Sequence, residues 1–297
     1  MNPDIWMDGA FVAWDNACIH PLGHSMQRGA TLFESIDCLE GVNHRPVIFR
    51  LADHMTRFLN SAQIVGMPLG YSREELMRAA IETVARSGMK SCTIRPIAFY
   101  PDPEFDIYPG AAPRVSVVIG IAKKKPPKEH LRLTISGFRK IDSASMPVKA
   151  KVSGNYISPL MAKTEAIRAG FDDTILLDRE GFVAEGTTAN IFMIANGTIM
   201  TSPGDKILMG ITRSTIMTLC KRAGLPFEET FFPPEQLKAA DQVFESSSGI
   251  GVLPVIQIDD RIIGNGAPGP ETVRLRTLYR EVVTGAAPDR DGWLTIV

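Results

Sequence analysis

The sequence predicts a two-domain α/β protein whose sheets are antiparallel or mixed. Three observations carry this. The chain has 297 residues, enough for one large domain or two of moderate size. Apolar strand-like runs are interleaved with helix-patterned segments. Strands follow one another through hairpin turns as often as through helical crossovers, which argues against an all-parallel sheet. The stretch KKKPPKE at 123–129 is charged and proline-bearing and continues neither helix nor sheet. The expected layout is therefore a small N-terminal α/β domain over 1–122, a linker over 123–130 and a larger domain over 131–297.

In chain order, MDGAFVAW reads as a strand and ATLFESIDCL as another with apolar alternation. Ser72 and Glu75 stand at capping-box spacing and open a helix. Its apolar stripe is Leu76, Ala80 and Val84, and Gly88 closes it. SCTIRPIAFY, RVSVVIGIAK and LRLTISGF read as strands, PLMAKTEAIRAG as a helix ending at Gly170, and DTILLD as a short buried strand. GFVAEGTTANIFMIANGTIMTS gives two strands joined by Asn196-Gly197, a strong hairpin signal. TRSTIMTLCKRAG is an amphipathic helix capped at Gly224. EQLKAADQVF is a helix running into a strand, and GPETVRLRTLYREVV is a final helix.

Composition excludes several function classes. A net charge of −1 with mixed signs gives no electrostatic reason to expect nucleic acid or an anionic membrane as partner. No apolar run approaches the roughly 20 residues that span a bilayer. The N-terminus lacks the basic-then-apolar order of a secretory signal. Cys18, Cys38, Cys92 and Cys220 are scattered without metal-ligand spacing, as expected of reduced thiols in a cytoplasmic protein. Asn196-Gly197-Thr198 fits a glycosylation acceptor formally, but reads as a turn without a secretory signal.

Four stretches could carry chemistry. MPVKAKVSGNYISPLMAKTEA holds Lys149, Lys151 and Lys163. A lysine attacks only when neutral, against a reference pKa of about 10.4, so it needs burial or a nearby cation. Lys163 lies on a helix beside Glu165 and reads as a solvated charge. Lys149 and Lys151 share a face of an extended segment, and the pattern alone does not choose between them. Glu185 interrupts an apolar strand, either as a solvated edge residue or as counter-ion to a positive group not supplied locally. GITRST at 210–215 opens a helix, where Thr212 and backbone N–H groups suit an anion and Thr212 or Ser214 would equally serve as a plain cap. ESSSGIG at 245–251 offers a second nest of small hydroxyls, or a flexible loop.

Taken in order, these segments resemble the fold-type IV (class IV) pyridoxal-phosphate aminotransferases, and among them the branched-chain amino acid group, over almost the whole chain. KAKVSGNYISPLMAKTEA resembles the lysine segment, GFVAEGTTANIF the glutamate signature, and VIFRLADHMTRF the arginine motif. GITR, ESSSG, Ile94-Arg95-Pro96 and the C-terminal DGWL follow in the family's order. The resemblance implies a larger C-terminal domain built as a pseudo-barrel of mixed strands. It implies pyridoxal 5′-phosphate as cofactor, with Lys151 as the catalytic residue forming the internal aldimine and Tyr156 on the cofactor's phenolic oxygen. Glu185 would face the ring nitrogen, and Arg50, Ile211, Thr212 and Ser248 would hold the phosphate. Lys149 is left as a surface charge.

On the substrate side the resemblance implies Phe33, Arg95, Ser248 and Gly249, with Arg28 a further candidate. The expected reaction moves the amino group of a branched-chain L-amino acid to 2-oxoglutarate through pyridoxamine phosphate. Thr93, where the branched-chain group carries tyrosine, and Arg28, where it often carries an aromatic residue, depart from the pattern. They keep open a D-amino acid or (R)-amine transaminase and, further off, a 4-amino-4-deoxychorismate lyase. The family also implies a homodimer.

Overall fold

The computed structural model describes every residue except Met1, Asn2, Lys125 and Pro127. The last two fall inside the expected linker 123–130 and lie outside the described residues. The chain forms two compact units. The first holds residues up to Lys125 and takes back Ala150–Gly154 and Val282–Val297; the second holds Pro126–Lys149 and Asn155–Glu281. Compactness thus returns two later segments to the first unit, which a linear reading of composition cannot do.

The first unit is built on an eight-stranded antiparallel sheet. Its strands are β1 (Ile5–Met7), β2 (Ala10–Val12), β3 (Leu32–Phe33), β4 (Ile36–Glu40), β5 (Pro46–Phe49), β6 (Cys92–Phe99), β7 (Ser116–Ala122) and β17 (Leu294–Ile296). The order runs β17-β5-β4-β6-β7-β1-β2, with β3 on β6. Helices α1 (His24–Arg28), α2 (Leu51–Ile64) and α3 (Arg73–Ser87) complete it. Leu51, Met55 and Phe58 of α2 and Leu76, Ala80 and Val84 of α3 are buried, the spacing of one helical face.

The capping box forms as expected: Ser72 accepts from the Glu75 N–H, and the Glu75 side chain accepts from the Ser72 N–H. Gly88 closes the helix in the left-handed region. Two readings change. MDGAFVAW is a hairpin rather than one strand, because Asp8 and Gly9 both take positive φ. ATLFESIDCL breaks into β3 and β4 at Glu34-Ser35, where Glu34 turns fully inward.

The second unit carries a nine-stranded mixed sheet, ordered β10-β9-β8-β15-β14-β11-β12-β13 with β16 on β15. These strands are β8 (Leu131–Arg139), β9 (Asp173–Leu177), β10 (Val183–Gly186), β11 (Asn190–Ala195), β12 (Thr198–Thr201), β13 (Phe227–Glu229), β14 (Gln242–Ser247), β15 (Gly251–Ile258) and β16 (Arg261–Ile262). β8 runs parallel to both β9 and β15, and β12 parallel to β13. The ends of the sheet are tied to each other: Val183 of β10 receives the Ser202 hydroxyl at 2.6 Å and donates its N–H to the Phe232 carbonyl at 3.0 Å. That curl is the expected pseudo-barrel. Leu133, Ile175, Ile191, Met193, Phe232 and Val243 belong to its apolar filling.

Helices α4 (Ile157–Arg168), α5 (Ile211–Arg222), α6 (Pro234–Lys238) and α7 (Pro270–Thr284) follow the expected order. The Asn196-Gly197 hairpin has both residues at positive φ and joins β11 to β12. GFVAEGTTANIF, however, holds two strands, β10 and β11, separated at Thr187–Ala189.

Candidate active site

Lys151 lies on the five-residue return to the first unit. Val152 bridges antiparallel to Leu32, and hydrogen bonds tie the segment to β3 and the residues before it. The Lys151 carbonyl accepts from Phe33 N–H at 3.1 Å, Ser153 N–H donates to the Thr31 carbonyl at 2.8 Å, and Gly154 N–H to the Gly29 carbonyl at 3.1 Å. The Lys151 N–H donates to the buried Ser61 hydroxyl of α2 at 3.0 Å. Its ammonium stands 4.9 Å from the centre of the Phe33 ring, and the Arg95 guanidinium stands 5.2 Å from the same ring. One aromatic ring thus has two cationic side chains close to it. Lys149 is exposed.

Immediately behind this group lies a buried ionic triad. Glu34 receives Arg57 through Nε at 2.6 Å and Nη2 at 2.8 Å, and meets His54 Nδ1 at 2.8 Å. Burial by itself would raise the Glu34 carboxyl, but the Arg57 and His54 charges and hydrogen bonds reverse this and hold it well below the carboxylate range. The triad fastens the end of β3 to α2.

Arg50 caps α2 with φ +52°, a left-handed conformation that costs a non-glycine residue energy. Its Nε lies 2.6 Å from Asp53, its N–H donates to the Trp293 carbonyl at 2.7 Å, and its guanidinium sits 4.9 Å from the Trp293 ring centre. Arg28 is exposed and donates to the backbone carbonyl of Phe105. The structure therefore employs that side chain in holding a loop.

In the second unit Glu185 is 8% exposed on β10, beside an irregularity in the β9–β10 register. It has a local cation after all: Lys140 Nζ lies 2.5 Å away, with both side chains close to fully buried. Sequence reading missed Lys140 because it lies 45 positions upstream, at the end of β8, and only the sheet topology brings it there. Asn190 is the second partner. Its amide group stands 3.4 Å from the Glu185 carboxylate and donates to the Leu208 carbonyl at 3.2 Å.

Asn190 also links Glu185 to α5. A Cβ on Gly210 would fall 2.1 Å from Asn190 Oδ1, so only glycine lets the helix start approach this amide. Gly210 gives the first turn of α5 no side-chain cap, and Ile211 and Thr212 are buried in that turn. A buried carboxylate and a side-chain-uncapped helix start, joined by one amide, suit a ligand with a cationic ring and an anionic tail. Ser248 and Gly249 lie in the β14–β15 turn, Ser248 half-buried and Gly249 exposed, and the nearby Ser246 hydroxyl is buried with no hydrogen-bond partner. Tyr156 ends a single 3-10 turn and caps α4, half-buried. Lys163 keeps a solvent-exposed side chain, as expected, and is ion-paired to Asp173 at 2.6 Å.

Among the described residues no group of three or more His, Cys, Asp or Glu could hold a metal ion, and no helix is long and apolar enough to cross a membrane.

The comparisons with known proteins agree along the whole length. The branched-chain-amino-acid aminotransferase of Escherichia coli (strain K12) is 32% identical over 298 residues, covering 98% of this chain and 96% of that protein. The crystal structure of the branched-chain amino acid aminotransferase of T.th. complexed with N-(5′-phosphopyridoxyl)-L-glutamate superposes with a TM-score of 0.95 at 38% identity, covering 99% of this chain and 98% of the other. The branched-chain aminotransferase of Thermoproteus uzoniensis with norvaline gives 0.95 at 35% identity, covering 100% and 99%. The family model "Amino-transferase class IV" matches residues 31–258. The chain belongs to the class IV aminotransferases.

Proposed function

We propose that this enzyme transfers the amino group of a branched-chain L-amino acid to 2-oxoglutarate. The full-length likeness to branched-chain aminotransferases, together with the Lys151–Phe33–Arg95 group, is the observation that carries this reading. The enzyme is a pyridoxal-phosphate-dependent transferase, with amino and oxo acids as substrates. When bound, pyridoxal 5′-phosphate supplies an electron sink for the carbanion left at the substrate α-carbon. The residues described above fit that group: a buried carboxylate for the ring nitrogen and a helix start for the phosphate.

Lys151 Nζ takes the proton from the substrate α-carbon and returns it on the way to product. Glu185 would hold a proton on the ring nitrogen. On the family's pattern Arg50, the first turn of α5 at Ile211 and Thr212, and Ser248 would hold the phosphate dianion. Tyr156 would donate to the phenolic oxygen. Arg95 and the backbone at Ser248-Gly249 orient the substrate carboxylate, and Phe33 walls the aliphatic side chain. The enzyme works in the cytoplasm as a homodimer, and the exposed Phe105, Ile107 and Tyr108 form an apolar loop suited to contact a second copy.

The test is a half-reaction followed by absorbance, without oxo acid. Cofactor-loaded protein is mixed in turn with L-leucine, L-glutamate, D-alanine, D-glutamate and (R)-1-phenylethylamine. Loss of the long-wavelength band with L-leucine and L-glutamate is expected. Loss only with the D-amino acids or the amine would overturn the substrate assignment. Lys151→Ala should show neither band nor turnover, and normal turnover would remove the central role given to Lys151.

A further inference from the structure

The strained Arg50 leaves unexplained how a left-handed arginine is kept in place, and the answer lies in the C-terminal segment of the first unit. Strand β17 pairs antiparallel with β5, Leu294 opposite Phe49, which sets Trp293 beside the residue that follows β5, Arg50. Trp293 then touches Arg50 twice, through its carbonyl on the Arg50 N–H and its indole under the guanidinium. The indole is itself fixed, packing edge-on against Phe49 with ring centres 5.9 Å apart and an interplanar angle of 83°. Its backbone is fixed as well, since Asp289 accepts from both Trp293 N–H (2.9 Å) and Leu294 N–H (3.0 Å). Asp53 holds Nε from the opposite chain direction.

We infer that Trp293 is a positioning residue for cofactor binding: it holds the Arg50 guanidinium in the orientation that receives the cofactor's phosphate, without touching the phosphate itself. The inference rests on the proposed phosphate role of Arg50. The physical case is one of preorganisation. An arginine side chain gives up rotamer freedom when it is fixed, and here the clamp imposes that cost at folding rather than at binding. The indole face is the best aromatic partner for a guanidinium, so weaker rings should serve less well.

The test separates phosphate binding from everything else by comparing two ligands. Apoprotein is titrated with pyridoxal 5′-phosphate and with pyridoxal, which lacks the phosphate, and the ratio of the two dissociation constants is the readout. Both ligands engage Lys151, so general damage to the fold moves both constants together. Trp293→Leu should shrink the ratio about tenfold, a loss in the range of one desolvated cation–aromatic contact plus side-chain ordering. Trp293→Phe should shrink it less, and keeps the test available if the leucine variant does not fold. Arg50→Met should shrink it at least as far, and adding Trp293→Leu to Arg50→Met should change nothing more. A ratio unchanged in the Trp293 variants, with Arg50→Met lowering it, would overturn the inference while sparing the role of Arg50. A ratio unchanged in Arg50→Met would overturn both.

Discussion

Gly210→Ala is the sharpest single perturbation of the site, because the structure fixes both its target and its size. The new methyl would lie 2.1 Å from Asn190 Oδ1 and 3.2 Å from Arg213 Cβ. Ordinary contact begins near 3.4 Å, so the Asn190 amide must retreat by roughly 1.3 Å. Asn190 is 4% exposed, and its amide group is engaged by the Leu208 carbonyl and the Glu185 carboxylate, so it cannot swing away at no cost. Overpacking contributes about 1–3 kcal/mol, and weakening an amide contact to a buried carboxylate adds about 1–3 kcal/mol.

The expected loss is therefore about 2–6 kcal/mol in urea unfolding of the apoprotein, with weakened affinity for pyridoxal 5′-phosphate. The decisive assay is a double-mutant cycle. Asn190→Ala removes the obstructing atoms, so Gly210→Ala made on that background should cost under about 1 kcal/mol. If Gly210→Ala costs the same with and without Asn190, the clash is not the reason for glycine at this position and the reasoning fails.

Two further outcomes are expected. Lys140→Met removes the cation beside Glu185 and should destabilise the apoprotein by about 3–5 kcal/mol, the usual penalty for breaking a buried pair. The cofactor's cationic ring would take over part of that role, so the loss should be smaller in the loaded enzyme; equal losses in calorimetry of the two forms would refute the coupling. The second outcome concerns pH. Burial pushes the Glu245 carboxyl well above its usual value, Asp173 adds to this, and Lys163 opposes it. A raised carboxyl keeps its proton in the folded state after the unfolded chain has released its own. The stability it contributes is complete below the ordinary glutamate value of about 4.3 and is lost as pH rises toward the raised value. Glu245→Gln should flatten that decline in unfolding midpoint against pH, and a slope identical to wild type would count against a neutral Glu245.

The sequence carried the elements whose signals are local. The Ser72–Glu75 box, Gly88, the Asn196-Gly197 turn and the amphipathic α5 each specify themselves within a few residues, and each forms as expected. Helix α2 went unread because His54 and Arg57 interrupt its apolar stripe with polar side chains whose partner, Glu34, sits 20 and 23 positions upstream. The Asp8-Gly9 turn was a hairpin signal flanked by strands of only three residues, too short to show alternation. The family's segments pointed to Lys151 and Arg50 in the first unit and to Glu185 and the start of α5 in the second. The residues that surround them, Lys140, Ser61, Asn190 and Trp293, depend on strand register and close approach, which no spacing rule within one segment can express. Arg28, a departure from the family's usual aromatic residue, has a partner that only the fold reveals, the Phe105 carbonyl.

The pairing of β17 with β5 brings together residues roughly 250 positions apart. Contacts so remote in sequence close a very long loop, whose entropy cost must be met before the contact repays it. A three-residue edge strand held on one side is also among the first places where a native sheet opens. The arginine clamp thus sits on a long-range edge seam of its sheet. Hydrogen exchange at Arg50 and Leu294 should report that opening directly, and a ligand gripping Arg50 should suppress it. Cofactor uptake would then lock a clamp that the fold has already assembled.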